Sequence, residues 1–177
     1  MEQLSSRDSA ILNCVFNPHL PLDDTDKPEL KDEEELTPEI LRAKTLEKQA
    51  IISAEQGYFQ KAEDLINEAI NIAPNKASLY NNRGHIFQFQ RKFEEAMVDV
   101  TKAIVLAQDT DLRKTLCQAH VQRGVLHRRN DDLDSAREDF RIAADMGDIF
   151  AKNQIVELNP YAALCNQMLR QVTQTWN

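Results

Sequence analysis

The 177-residue sequence has little of what a β-sheet protein or a membrane protein needs. It contains only four glycines and six prolines, which leaves few residues for the tight turns of an all-β fold. No apolar run reaches about 18 residues, so a membrane-spanning helix is not expected, and no signal segment is recognisable at the N-terminus. We expect a soluble protein of the cytoplasm, with access to the nucleus left open.

Residues that bind metals, nucleotides or nucleic acids are also scarce or badly spaced. Cys14, Cys117 and Cys165 follow no metal-ligand spacing, so we expect reduced, buried thiols rather than disulfides or a zinc site. The net charge of −8 argues against a nucleic-acid partner. No nucleophile or phosphate-binding motif occurs. We therefore expect no enzyme activity, no cofactor, no metal and no membrane partner.

The sequence does contain one spacing of small residues that occurs three times. The offset is 34 residues between the first two copies and 40 between the last two, and two series of bulky residues shift by the same intervals. Small residues let two helices approach while bulky neighbours fill the gap, so the pattern predicts packed helical pairs. The small positions are Ala50, Ala62 and Ala69, then Gly84, Ala96 and Ala103, then Gly124, Ala136 and Ala143; the bulky series are Phe59, Phe93 and Leu133, and Ile66, Val100 and Phe140.

A 34-residue period with this alternation resembles the tetratricopeptide repeat family. The resemblance implies an all-α solenoid of three helical pairs, which we place at 43–76, 77–110 and 117–150 within a domain at 37–158. The six residues before the third repeat are expected to lengthen the first helix of that repeat. Residues 149–158 are expected to form a covering helix that hides the apolar end of the solenoid. Its covering side chains would be Phe150, Ile155, Val156 and Leu158.

In this family the first helix of each pair, helix A, lines a concave groove that binds a peptide or a helix and has no chemistry of its own. The alignment gives the groove mixed charge in repeat one, polar residues in repeat two and basic residues in repeat three, which fits an uncharged or weakly acidic peptide best. The groove candidates are Lys44, Glu47, Lys48, Ile51 and Glu55; Ser78, Asn81, Asn82, His85 and Phe89; and Gln118, Val121, Gln122, Val125, Arg128 and Arg129.

The best-known ligand contact of the family is a clamp of lysine, asparagine and arginine side chains that holds the acidic C-terminal tail of a heat-shock chaperone. At the matching positions this chain has Glu47, Ile51, Asn82, Gln118 and Gln122, so only Asn82 agrees. Each lost charge-assisted hydrogen bond is worth about 1.5–3 kcal/mol, and Glu47 would add repulsion. The sequence therefore predicts partner binding that does not depend on a chaperone tail.

Repeat three also carries arginines and histidines with open roles. Arg123, Arg128 and Arg129 are either a different anion site or solvated helix arginines. His120 and His127 lie seven residues apart on one predicted helical face, in the positions that aromatic residues occupy in repeat two. We expect them to replace packed aromatics rather than bind a metal, because no further ligand follows at helical spacing.

Three segments flank the repeats. Residues 1–18 contain a short amphipathic helix, residues 19–36 carry eight acids and two lysines, and residues 159–177 form a second amphipathic helix. Because a short helix is not stable alone in water, we expect the first to dock on the repeats, with folding on a partner as the alternative. We expect the second to pack against the covering helix; if exposed, it would be a partner-binding or dimerising face. The acidic segment has the composition of a solvated linker; the alternative is a tail that competes with an acidic ligand for the groove.

The resemblance extends over the whole chain, including the AILNCVFNP opening and the LNPYAALCNQML tail. It implies a non-catalytic cytosolic adaptor or co-chaperone that binds a chaperone of the seventy-kilodalton class or a client protein, and it links the chain to tyrosine catabolism. The alternative function is a structural or weakly self-associating protein that acts through its terminal helices.

Overall fold

The computed structural model describes Leu30, Asp32 and residues 37–159, and this part of the chain is a solenoid of helical pairs. Seven helices and no strand occur in it, which confirms the predicted all-α class. None of these helices has the length and apolar character that crossing a bilayer would require. The helices are α1 (Pro38–Glu55), α2 (Phe59–Ile72), α3 (Ala77–Phe89), α4 (Phe93–Asp109), α5 (Arg113–Arg129), α6 (Leu133–Asp145) and α7 (Ile149–Glu157).

Side-chain caps and left-handed residues set the ends of the helices. The Thr37 hydroxyl accepts a hydrogen bond from the backbone amide three residues on, at 3.3 Å, and Pro38 follows at the first helical position. Asp132 and Asp148 cap α6 and α7 in the same way. The turn inside each pair passes through one residue with positive φ at an equivalent position of each repeat, namely Gly57, Arg91 and Asp131.

The small positions of the repeat form the close contacts between paired helices, as the spacing predicted. All nine are buried. A Cβ atom on Gly84 would lie 2.7 Å from Val100 Cγ2, and one on Gly124 would lie 2.8 Å from Phe140 Cε1. Val100 and Phe140 are fully buried. The glycines are therefore required because the facing side chain occupies the space that any Cβ would need.

The six-residue insertion before repeat three lengthens two helices. The end of α2 corresponds to Leu106 in the alignment of the repeats, but α4 continues to Asp109. The start of α3 corresponds to Cys117, but α5 already begins at Arg113. Asp111, with a φ of 52°, separates the two helices. The prediction that helix A of repeat three alone takes up the insertion is therefore wrong in part, since the break falls within the inserted residues.

The covering helix α7 forms where expected but does not cover repeat three with all the predicted residues. Phe150 and Val156 are 48% and 44% exposed, but the Phe150 ring contacts the buried Phe140 ring of repeat three edge-on, with centroids 6.1 Å apart, so the prediction is wrong only for Val156. They flank the buried stripe, because a spacing of three and four residues keeps only one face of a helix on its neighbour. The stripe consists of Ala151 and Gln154, which are buried, and Ile155 and Leu158, which pack against the core of repeat three.

The predicted terminal helices lie outside the described residues. So does the acidic segment at 19–36, with the exception of Leu30 and Asp32. The proposed boundaries of these segments, and their packing on the repeats, stay predictions.

Candidate functional site: the concave groove of the A helices

Helices α1, α3 and α5 are the A helices of the three repeats, and they carry every predicted groove residue. α3 packs against both α1 and α5, so these residues share one surface. Two of them are buried, Glu47 at 8% exposure and Asn81 at 3%, which leaves Asn81 little surface to offer a partner. The exposed candidates are Lys48, Ile51, Glu55, His85, Phe89, Gln118, Arg128 and Arg129; the half-buried ones are Lys44, Ser78, Asn82, Val121, Gln122 and Val125.

Glu47 is held in the groove by side chains of the second repeat and the turn before it. Its Oε1 accepts a hydrogen bond from Asn82 Nδ2 at 2.8 Å, and its Oε2 lies 3.3 Å from Lys76 Nζ. Lys76 also donates to the Ser78 hydroxyl. The side chains of Glu47 and Lys76 are only 11% and 5% exposed, so the pair is shielded from water and salt. Asn82, the one clamp residue in the sequence, is therefore already bound to a carboxylate of this chain.

The middle of the groove is aromatic and apolar. The ring of Phe89 stacks on Phe59 with centroids 5.5 Å apart, and the His85 ring lies 4.9 Å from Phe89. Desolvation by the surrounding protein lowers the pKa of His85 below its usual range. Phe89 is still 53% exposed, and Ile51 on α1 is 38% exposed. The polar character predicted for repeat two is thus incomplete, because the rings at its centre remain accessible.

The two arginines at the basic end of the groove have partners within the chain. Arg128 Nη1 lies 3.1 Å from Glu157 on α7 and also contacts Gln154. The guanidinium carbon of Arg129 lies 3.3 Å from the ring centre of Phe93. The candidate anion site therefore does not form as an open group of cations, since each arginine is engaged by a different helix.

Asp139 on α6 joins three residues of α5 that the sequence did not connect. Its carboxylate accepts hydrogen bonds from Arg123 at 2.7 and 2.8 Å, pairs with His120 Nδ1 at 2.8 Å, and lies 3.8 Å from His127 Nε2. Burial raises the pKa of Asp139, but the hydrogen bonds from Arg123 and His120 outweigh burial and hold the pKa below its usual range. His120 is buried, as predicted for a residue in an aromatic position.

No three His, Cys, Asp or Glu side chains among Leu30, Asp32 and residues 37–159 are placed to hold a metal ion. Cys117 is buried, as predicted, and burial together with the Asp148 charge raises the pKa of its thiol to about 11. The other two cysteines lie outside the described residues.

Three consecutive helical pairs, in which the A helix of repeat two packs against those of repeats one and three, define the class: this is a tetratricopeptide repeat protein. The family described as Tetratricopeptide repeat matches residues 77–110, which are repeat two. The N-terminal domain of stress-induced protein-1 from C. elegans has the same fold, with 22% identity, a TM-score of 0.62 and coverage of 70% of this chain and 98% of that chain. The second TPR domain of human RPAP3, solved with the HSP70 peptide SGPTIEEVD, has 21% identity, a TM-score of 0.58 and coverage of 68% and 97%.

Relatives that match nearly the whole chain identify the family. A tetratricopeptide repeat protein 36 homolog of Drosophila melanogaster is 45% identical over 175 residues, which are 95% of this chain and 93% of the relative. Tetratricopeptide repeat protein 36 of Danio rerio is 42% identical over 176 residues, with 95% and 92% covered. The Homo sapiens protein is 37% identical over 172 residues, with 92% and 90% covered. The chain belongs to the tetratricopeptide repeat protein 36 family.

Proposed function

We propose that this protein is a non-catalytic cytoplasmic adaptor or co-chaperone whose concave groove binds a segment of a chaperone or of a client protein. The observation that carries the proposal is the exposure of Ile51, His85 and Phe89 on neighbouring A helices. Accessible apolar and aromatic side chains that share one surface are typical of protein interaction sites.

A chaperone of the seventy-kilodalton class is the first partner to test. The second TPR domain of human RPAP3 was solved in complex with an HSP70 peptide, and its fold is the fold of this chain. The resemblance to the family adds proteins of tyrosine catabolism as the class in which a client is sought.

We further propose that the partner does not bind by its terminal carboxylate. Asn82 and Lys76 already share the carboxylate of Glu47. An incoming carboxylate would compete for these two donors and would be repelled by Glu47. The gain of about 1.5–3 kcal/mol for each charge-assisted hydrogen bond would therefore be lost. A segment with apolar side chains from within the partner's sequence fits the exposed centre of the groove better.

Purified seventy-kilodalton chaperone, with and without its C-terminal tail, tests this proposal. The wild-type chain should bind both forms with Kd values within about threefold, and the peptide SGPTIEEVD alone should not saturate it. Ile51→Arg should weaken chaperone binding at least about tenfold, which corresponds to ~1.4 kcal/mol. Val98→Arg is the matched control, because Val98 is 68% exposed on α4, which is a second helix of a pair and not an A helix.

Four results would contradict the proposal. Tight binding of the peptide, or loss of chaperone binding when the tail is removed, would show that a carboxylate clamp operates despite Glu47. Equal binding by wild type and Ile51→Arg would remove the groove from the interaction. Failure of both chaperone forms to bind would remove this chaperone class as the partner.

The alternative, a structural or self-associating protein, depends on the terminal helices and stays a prediction. Light scattering of the full chain over a range of concentrations measures it. A mass that rises with concentration, and no longer does so when residues 159–177 are deleted, would favour self-association.

A further inference from the structure

Two residues of the acidic segment are seated on repeat three. The Asp32 carboxylate accepts hydrogen bonds from the backbone amides of Lys114 at 2.8 Å and Thr115 at 3.1 Å, and from the Thr115 hydroxyl at 2.6 Å. Leu30 packs against the buried cluster of repeat three that includes Cys117. A leucine and a carboxylate two residues apart are therefore bound together at the start of α5.

The insertion before repeat three creates the surface to which they bind. It gives α5 an additional first turn, Arg113–Leu116, and the amides of a first turn have no acceptor within their own helix. The N-cap residue Leu112 supplies no side-chain acceptor, and this turn contains no acidic residue. Asp32 supplies both the acceptor and the negative charge that the helix end lacks.

Thr115 and Leu30 make the contact more specific than a helix cap. Thr115 is only 3% exposed, and its hydroxyl is directed at Asp32. Alternate residues of an extended segment point to the same side, so a leucine and an aspartate two positions apart can reach one surface together. The start of α5 thus offers one short segment an apolar contact, a buried hydroxyl donor and two backbone amides that have no acceptor within the helix.

This surface adjoins the groove. Gln118, a groove candidate, lies one helical turn beyond Lys114, and Val121 and Val125 pack against the same buried cluster as Leu30. An extended peptide that followed α5 toward its first turn would therefore meet Leu30 and Asp32.

We propose that the start of α5 is a docking site for an extended segment with a leucine two residues before a carboxylate, and that the chain fills this site with its own Leu30 and Asp32. Leu30 and Asp32 then form a strap that occupies the site at one end of the groove. A groove partner that extends this far must displace the strap, and this last consequence alone rests on the proposed function.

Hydrogen exchange of the Lys114 and Thr115 amides in the full-length chain measures the docking directly. Asp32→Ala should speed their exchange by at least about fivefold, the factor expected for loss of one helix cap. Asp24→Ala removes the same charge from the same acidic segment and should leave the rates unchanged. Asp32→Asn keeps a capping oxygen and should retain most of the protection. Equal rates in wild type and Asp32→Ala would overturn the docking.

A synthetic peptide of residues 27–36, KPELKDEEEL, tests whether the site is exchangeable. A tethered segment has an effective concentration on the order of mM. The wild-type chain should therefore bind the peptide at least about tenfold more weakly than the double variant Leu30→Ala, Asp32→Ala. Adding Thr115→Val to the double variant should weaken the peptide again by about fivefold or more, because the hydroxyl donor is removed.

The outcomes separate this proposal from the proposed function. A double variant that binds the peptide no better than wild type does would overturn the docking site, whether or not a chaperone binds the groove. Peptide binding that follows the expected order, with no chaperone bound by any variant, would contradict the proposed function and leave the docking site in place.

Discussion

Repeats two and three hold the same ion pair at equivalent positions. Arg83 donates two hydrogen bonds to Asp99, at 2.6 and 2.7 Å, and Arg123 donates two to Asp139, at 2.8 and 2.7 Å. Each pair joins the two helices of one repeat. The arginines are 40 residues apart and so are the aspartates, which means that the insertion leaves this part of the repeat intact.

The surroundings of the two pairs differ. In repeat two the arginine carbon lies 5.5 Å from the ring centre of Tyr80 and 5.7 Å from that of Phe87. In repeat three the corresponding residues are His120 and His127, and both approach Asp139. Aromatic faces stabilise the arginine cation through their rings, whereas the histidines contact the aspartate carboxylate instead. The comparison shows that the same arginine–aspartate pair occurs in two different environments, beside aromatic rings in repeat two and beside histidines in repeat three.

The core position opposite the glycine should give the largest difference between the repeats. Val100 and Phe140 are equivalent and fully buried. Phe140→Ala should destabilise the protein by about 3–5 kcal/mol and Val100→Ala by about 2 kcal/mol, because the larger side chain leaves the larger cavity. Urea unfolding followed by circular dichroism measures both. Equal losses would mean that the cavity in repeat three collapses.

Removal of the aspartates should give the next largest difference. Asp139→Asn leaves both Arg123 and His120 without their carboxylate and should cost about 3 kcal/mol, whereas Asp99→Asn strands one arginine and should cost about 2 kcal/mol. The arginine side chains are 22% and 24% exposed, which keeps both losses below those of a fully buried pair. Urea unfolding at pH 7 compares the two variants. A larger loss for Asp99→Asn would show that the aromatic rings of repeat two do not stabilise Arg83 once its carboxylate partner is removed.

The fold could be predicted from the sequence because the small residues lie where the paired helices contact each other. Gly84 and Gly124 each face a buried side chain at a distance that excludes a Cβ atom, so their spacing reflects the repeat itself. The ends of the lengthened helices could not be predicted in this way. They depend on which residue of the insertion becomes left-handed, and Asp111 is one of several polar residues there.

The assignment of the candidate groove residues to the A helices was also predictable, since position on a helix follows from the alignment, but the contacts between their side chains were not. In the sequence Glu47 is only a repulsive charge, whereas in the structure Asn82 and Lys76 also bind its carboxylate, and the contact with Asn82 spans 35 residues. The contact between Asp32 and Thr115 spans 83 residues. Helical periodicity gives the direction of a side chain, whereas these contacts depend on rotamers and on the path of turns between elements.

Acid should reduce the contrast between the two ion pairs, and this is the smallest effect expected. The pKa of Asp139 in the folded protein lies below its ordinary value of 3.8, so the unfolded chain takes up this proton at higher pH. The stabilisation from Asp139 is therefore complete well above pH 4 and is lost as the pH falls through the lowered pKa. Asp139→Asn cannot titrate at this position, so its stability deficit relative to wild type should shrink between pH 5 and pH 3, by at most about 1 kcal/mol. Urea midpoints at pH 7, 5, 4 and 3 measure this deficit, with Glu138→Gln as a control for an exposed neighbouring carboxylate. A constant deficit over this range would mean that the hydrogen bonds from Arg123 and His120 do not favour the charged carboxylate, and the electrostatic distinction between repeats two and three would then be lost.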